Sequence, residues 1–208
     1  MNVILRLFLI VALMQSGSLL AQQSNNETLS LIYQEVDNDY KYGYINSRGE
    51  VIVPLGKYSW IYHTEFKTLG FVAKDGNIWA IDPSGKERFR VFCFDNGPDY
   101  LSEGLFRMVD EQSKIGFADS LGHIVITPRF EFVSPFKNGL AAFNAGGKKV
   151  QDGEHSFIEG GKWGYVDLKG DTIYPAIFDS ASYYIGDKTT VKYKGKVTTI
   201  GQIDHRKE

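Results

Sequence analysis

From about residue 30 onward, apolar residues come in short runs separated by Gly, Asn, Asp and Pro. Leu31-Ile32-Tyr33-Gln34-Glu35-Val36 and Val51-Ile52-Val53-Pro54 are examples. No long window carries a helical period of about 3.6 residues. Short β-rich runs with turn residues between them predict an all-β chain.

The runs recur. Lys41-Tyr42-Gly43-Tyr44-Ile45-Asn46-Ser47-Arg48-Gly49 is matched by Asn77 to Gly85, by Lys114 to Gly122 and by Lys162-Trp163-Gly164-Tyr165-Val166-Asp167-Leu168-Lys169-Gly170. The closing glycines stand 36, 37 and 48 residues apart, so the last interval holds an insertion. Each unit predicts three strands. The first is the aromatic-rich segment. Asn or Asp, two variable residues and Gly then form a turn in which Gly takes the left-handed backbone region. A second strand follows, such as Val51-Ile52-Val53-Pro54 or Ile124-Val125-Ile126-Thr127-Pro128. Proline cannot donate to a ladder, so it belongs at a strand end or on an edge. Linkers containing Phe130 or Phe178 lead on to a third strand, for which Leu105-Phe106 and Leu140-Ala141-Ala142-Phe143 are candidates.

One hairpin cannot bury both of its faces, so neighbouring units must stack. The expected architecture is tandem antiparallel β-hairpin repeats stacked as an open, twisted, solenoid-like array. A closed, propeller-like ring is the alternative. It would form if Leu31–Val36 and Val197–Ile200, which flank the array out of phase, completed one another. Units start near 41, 77, 114 and 162 within a repeat domain spanning 30–204. A short disordered segment, 22–29, is expected before it and a tail, 205–208, after it.

This pattern resembles the WG-containing (KWG) repeat family of bacterial proteins. The signature is nearly verbatim at Lys162 to Gly170 and looser at Lys41 to Gly49 and Lys114 to Gly122. Phe136-Lys137-Asn138-Gly139-Leu140 also resembles the family. The resemblance implies β-repeat structure in exported or envelope proteins and supplies no catalytic residues. The second unit departs from it, with Trp79 in the glycine slot and Ala80 in the aromatic one.

The N-terminus adds a destination. Arg6 precedes the apolar run Leu7 to Met14, and Leu19-Leu20-Ala21 precedes Gln22. This is the form of a secretory signal peptide, residues 1–21, too short in its apolar run to span a bilayer. A periplasmic or secreted protein is expected, with no membrane span after cleavage. The only cysteine, Cys93, is away from the cleavage site, so a lipid anchor is not indicated. Set in Val91-Phe92-Cys93-Phe94, it reads as a buried, inert thiol. The formal charge is −2, and −3 without Arg6, which argues against nucleic acid as a partner.

Candidate chemistry is sparse. His63, His123, His155 and His205 have no neighbouring Cys or His at zinc spacing, and no phosphate-binding or nucleophile-elbow motif occurs. Asp82, Asp119 and Asp167 are explained by their turns. No metal or cofactor is expected. The aromatics outside the repeat pattern, Trp60, Tyr62, Tyr183 and Tyr184, are candidate ligand-binding residues. So is His155, in the insertion 146–161, which reads as a protruding hairpin or loop with Asp152-Gly153 at its tip. The expected function is a non-catalytic binding or scaffold protein of the bacterial envelope or exterior, engaging a protein or a glycan. A hydrolase with a site assembled from scattered side chains is the alternative.

Overall fold

A computed structural model describes residues 27–153, 155–182 and 186–201. The expected signal peptide and tail lie outside the described residues, as do Tyr183 and Tyr184. Among the described residues the chain is all-β, and every strand pairing is antiparallel.

The strands recur as modules. Each module opens with the predicted third strand, continues into the first and ends with the second. The opening module is β1 (Leu29–Val36), β2 (Asp39–Ile45) and β3 (Val51–Val53), followed by linker strands β4 (Trp60–Ile61) and β5 (Glu65–Phe66). The next is β6 (Gly70–Lys74), β7 (Asn77–Ile81) and β8 (Glu87–Val91), with linkers β9 (Cys93–Phe94) and β10 (Gly97–Pro98). Then come β11 (Leu105–Val109), β12 (Ile115–Asp119) and β13 (Ile124–Phe130), with linker β14 (Phe132–Val133). A fourth module comprises β15 (Leu140–Asp152), β16 (His155–Asp167) and β17 (Thr172–Phe178), with linker β18 (Ser180–Ala181). The chain continues through β19 (Lys188–Tyr193) and β20 (Lys196–Gly201). β1 pairs with β2 and β5, and β20 with β19, so the flanking strands do not complete one another. No closed barrel or propeller forms among the described residues.

The chain divides into two compact units between Arg88 and Phe89, inside β8. The first unit has a core of Leu29, Tyr44, Val53, Tyr58, Ile61, Phe66, Val72 and Ile81. In the second, one cluster gathers around Phe117, Phe136, Val133 and Val166 and another around Tyr165, Phe178 and Val191. Burying each large apolar side chain stabilises by roughly 1.5–3 kcal/mol, which is what holds a chain with no disulfide.

The predicted turns are present in all four repeats. Gly49, Gly85, Gly122 and Gly170 have φ of 81°, 75°, 82° and 89°. The carboxylate or amide oxygen of Asn46, Asp82, Asp119 and Asp167 accepts the backbone N–H groups two and four residues on. One side-chain atom thus satisfies two donors that the turn leaves unpaired.

The signature glycines have a different cause. A Cβ on Gly43 would lie 2.5 Å from the Val53 carbonyl oxygen, and one on Gly164 the same distance from that of Tyr174. Gly116 meets the Ile126 carbonyl in the same way. The second strand closes on the first here, and the ladder shifts register around Gly116 and Gly164. Pro54 follows the end of β3, while Pro128 and Pro175 lie in the edge strands β13 and β17, where a missing donor is tolerated.

Within each unit a turn seats on the preceding repeat. In the first unit Gly85 sits against Ile52 and Val53 of the preceding repeat, and Lys57 donates to the Gly85 carbonyl at 3.3 Å. In the second unit Gly170 sits against Ile126, and Arg129 donates to the Gly170 carbonyl. The tight turns 36 residues apart also meet there, with the Gly139 N–H donating to the Glu103 carboxylate at 2.8 Å.

Three expectations need correction or refinement. Cys93 is exposed rather than buried, because Asp95 and Asn96 turn β9 and β10 into a short separate hairpin. Phe130 and Phe178 close the second strands and are buried there, so they are not linker residues. The insertion is a hairpin, as one of its two readings held, and it directly prolongs β15 and β16. Buried Asn144 secures its base, accepting from the Gly147 N–H at 2.9 Å and donating to the Gly160 carbonyl at 3.2 Å.

Candidate functional site

The β1–β2 hairpin extends beyond the core of the first unit. Asp37 and Asn38 close it with φ of 53° and 62°, the positive pair that suits the twist of a two-residue hairpin. Its register sets Leu31 opposite Tyr44, Tyr33 opposite Tyr42 and Glu35 opposite Tyr40. Directly opposed residues share a face, so all six side chains lie on one side of the ribbon.

That side runs from core to solvent. Tyr44 is fully buried, and its hydroxyl donates to the His63 carbonyl at 2.6 Å. Tyr42 is half-buried and packs against the core, while Tyr40 and Tyr33 are exposed, Tyr33 at 65%. Trp60, on β4, joins them and is 51% exposed. Successive ring centroids are 5.8 Å apart for Tyr33 and Tyr40, 6.5 Å for Tyr40 and Tyr42, and 5.5 Å for Tyr42 and Trp60. The result is a continuous, solvent-facing aromatic surface.

The charges are sorted by face. Asp39 and Lys41 lie on the opposite side of β2 and pair at 2.6 Å, and the hydrogen bond from Lys41 holds the Asp39 carboxyl below its usual range. Glu35 is on the aromatic side and Asp37 at the tip. No ion pair to either occurs among the described residues.

Other titratable clusters serve the fold. Tyr58 is buried and donates to Glu87 at 3.1 Å, and burial pushes its hydroxyl up. Lys74 donates to the same carboxylate at 3.0 Å. Burial alone would raise Glu87, but these hydrogen bonds hold it below its ordinary value. A carboxylate so occupied is an anchor rather than a base. Among the described residues no group of three or more His, Cys, Asp or Glu could hold a metal ion.

Of the residues singled out in the sequence, Trp60 is on the aromatic surface. Tyr62 is half-buried beside it in the chain, its N–H bonded to the Phe71 carbonyl at 3.0 Å. His155 opposes Asp152 at the end of the long hairpin, and its side chain is outside the described residues, as are Tyr183 and Tyr184. The structure adds Tyr33, Tyr40 and Tyr42 to the surface. Tyr42 belongs to the repeating first strand, and Tyr33 and Tyr40 come onto its face only through the hairpin register.

The model of the WG containing repeat matches residues 42–67, 115–148 and 163–196. The chain carries WG-containing repeats. Each matched stretch begins in or at the first strand and runs through the second strand and linker. The unmatched second repeat is the one with Trp79 in the glycine slot. Its Asp82 turn is nevertheless the same as in the WG repeats. No curated protein matches the chain significantly.

Proposed function

We propose that this WG-repeat chain is a non-catalytic binding or scaffold protein of the bacterial envelope or exterior. Its modules stack as an open array, and the first unit presents an aromatic surface to a protein or glycan partner. The observation that carries this reading is the exposure of Tyr33, Tyr40 and Trp60 in one continuous strip. Exposed Trp and Tyr bury large area on binding and lose little side-chain entropy, so they dominate many interfaces. The contact of the Gly85 and Gly170 turns with a strand of the repeat before each supports the stack. Export rests on the apolar leader and on Leu19-Leu20-Ala21 before Gln22.

The test uses the exported protein as bait in envelope extract, beside Trp60→Ala and Tyr40→Ala variants. Both side chains are exposed, so the variants should melt with the parent. A partner captured by the parent and lost by both supports the reading. Equal capture by all three places binding elsewhere. N-terminal sequencing of the exported protein should begin at or within about two residues of Gln22, and an intact Met1 on membrane-bound protein would overturn the export route.

A further inference from the structure

The aromatic surface has a shape that separates the two kinds of partner. The planes of Tyr33 and Tyr40 meet at 69°, and those of Tyr42 and Trp60 also at 69°. Between these two edge-to-face pairs, Tyr40 and Tyr42 stack at 28° with centroids 6.5 Å apart, so the strip presents two notches flanking one stacked pair. A sugar ring stacks on a flat face, whereas a pyrrolidine ring wedges into a notch. A polyproline II chain turns once in three residues and rises about 3.1 Å per residue, so residues three apart share a face about 9 Å apart. That is the scale of two notches with a ring pair between them.

Charge adds a direction. Glu35 opposes Tyr40 across the hairpin, on the same face as the rings, and Asp37 is at the adjoining tip. The nearest cation along β2, Lys41, is on the other face and paired with Asp39. The strip therefore has an acidic end that a basic side chain would complement.

Resting on the binding role proposed above, we infer that the Tyr33–Tyr40–Tyr42–Trp60 surface takes an extended, proline-rich peptide, with a flanking Lys or Arg beside Glu35 and Asp37. Such a peptide is already ordered before it binds, which lowers the entropic cost of docking on a shallow surface. The exposed hydroxyls of Tyr33 and Tyr40 are available to donate to its free carbonyls.

The experiment is selection of the purified full chain against a random dodecapeptide library displayed on phage, followed by calorimetric titration of the enriched peptides. Cellohexaose and chitohexaose are titrated in parallel. The expected result is enrichment of prolines three residues apart with a neighbouring Lys or Arg. Trp60→Ala and Tyr40→Ala should each weaken binding about tenfold or more. Glu35→Lys should weaken the basic peptide and improve its Arg→Glu counterpart. Enriched peptides without proline, or with parental affinity for both alanine variants, overturn the inference. Oligosaccharide binding that is lost in Trp60→Ala, with no peptide enriched, overturns it while leaving the binding role intact. If neither the peptides nor the oligosaccharides bind and envelope capture also fails, both fall.

Discussion

Arg107 grips Asp99 with three donors at once. Its backbone N–H and its Nε reach one carboxylate oxygen at 2.8 and 2.9 Å, and Nη2 reaches the other at 2.6 Å. The guanidinium lies 4.0 Å above the Phe92 ring, and both side chains are buried, at 4% and 1% exposure. One repeat later Ser134 and Ala142 occupy the same two places. The Ser134 hydroxyl accepts the Ala142 N–H at 3.0 Å. Asp99 thus performs a backbone duty common to both modules and carries a buried cation in addition.

Removing one member strands the other. Asp99→Ala should cost about 3–5 kcal/mol, because it leaves a buried guanidinium and a backbone N–H without their acceptor. The double change Asp99→Ser with Arg107→Ala copies the next repeat and should be more stable than Asp99→Ser alone. Urea unfolding of the parent, Asp99→Ser, Arg107→Ala and the double variant measures the coupling, and strict additivity would show the pair to be energetically independent.

The turn glycines should not be equivalent. Gly49 and Gly170 both have positive φ, so alanine at either carries a left-handed penalty of about 1–2 kcal/mol. Nothing is within 4 Å of a Cβ on Gly49, whereas one on Gly170 would meet Ile126 at 3.1 Å. Gly170→Ala should therefore lower the melting temperature more than Gly49→Ala. Equal shifts in calorimetry would mean that the turn does not seat on the neighbouring strand.

Tyr44 and Tyr165 occupy equivalent places, and each hydroxyl donates to a linker carbonyl, that of His63 at 2.6 Å and that of Ser182 at 2.7 Å. Tyr44→Phe and Tyr165→Phe should each lose about 1 kcal/mol by urea denaturation while keeping the fold. The third repeat has Phe117 at this place, buried without a hydroxyl. A Tyr44→Phe protein as stable as the parent would remove the hydrogen bond as a source of stability.

His63 gives the first unit a pH dependence. Its Nε2 is buried with no hydrogen-bond partner among the described residues, its ring lies against Phe71, and burial lowers its pKa. Unfolded, the imidazole takes a proton near pH 6.5. Below that pH the unfolded chain binds more protons than the folded one, so stability is complete above it and falls as the pH falls. The parent should lose melting temperature from about pH 7 to about pH 5 more steeply than His63→Phe. Parallel curves for the two would assign the loss to other groups.

What was legible in the sequence was whatever the backbone demands of a particular residue type. Asn46, Asp82, Asp119 and Asp167 with their glycines announced the turns because few other residues can make them. Another loop of the same build lacks that signature. Asp110 accepts the Ser113 and Lys114 N–H groups, but Ser113, at φ 63°, stands where glycine does elsewhere. The Arg107–Asp99 pair was also hidden, since its partners are joined by folding rather than by a motif. The exposure of Cys93 is not legible, because an apolar run says nothing of whether its hairpin leaves the core. Trp60 stood out by breaking the repeat. Tyr42 was masked by obeying it, and only the register with Tyr33 reveals that the periodic face continues past the core into solvent.

In the second repeat the signature glycine and tyrosine are gone, yet Asp82 still binds the N–H groups of Ser84 and Lys86, and Gly85 still rests on the repeat before it. The signature residues and the module are therefore physically separable: a repeat without that glycine and tyrosine keeps its turn and its seat on the neighbouring strand through an acidic side chain and a glycine. This chain holds at least one module that the signature does not announce.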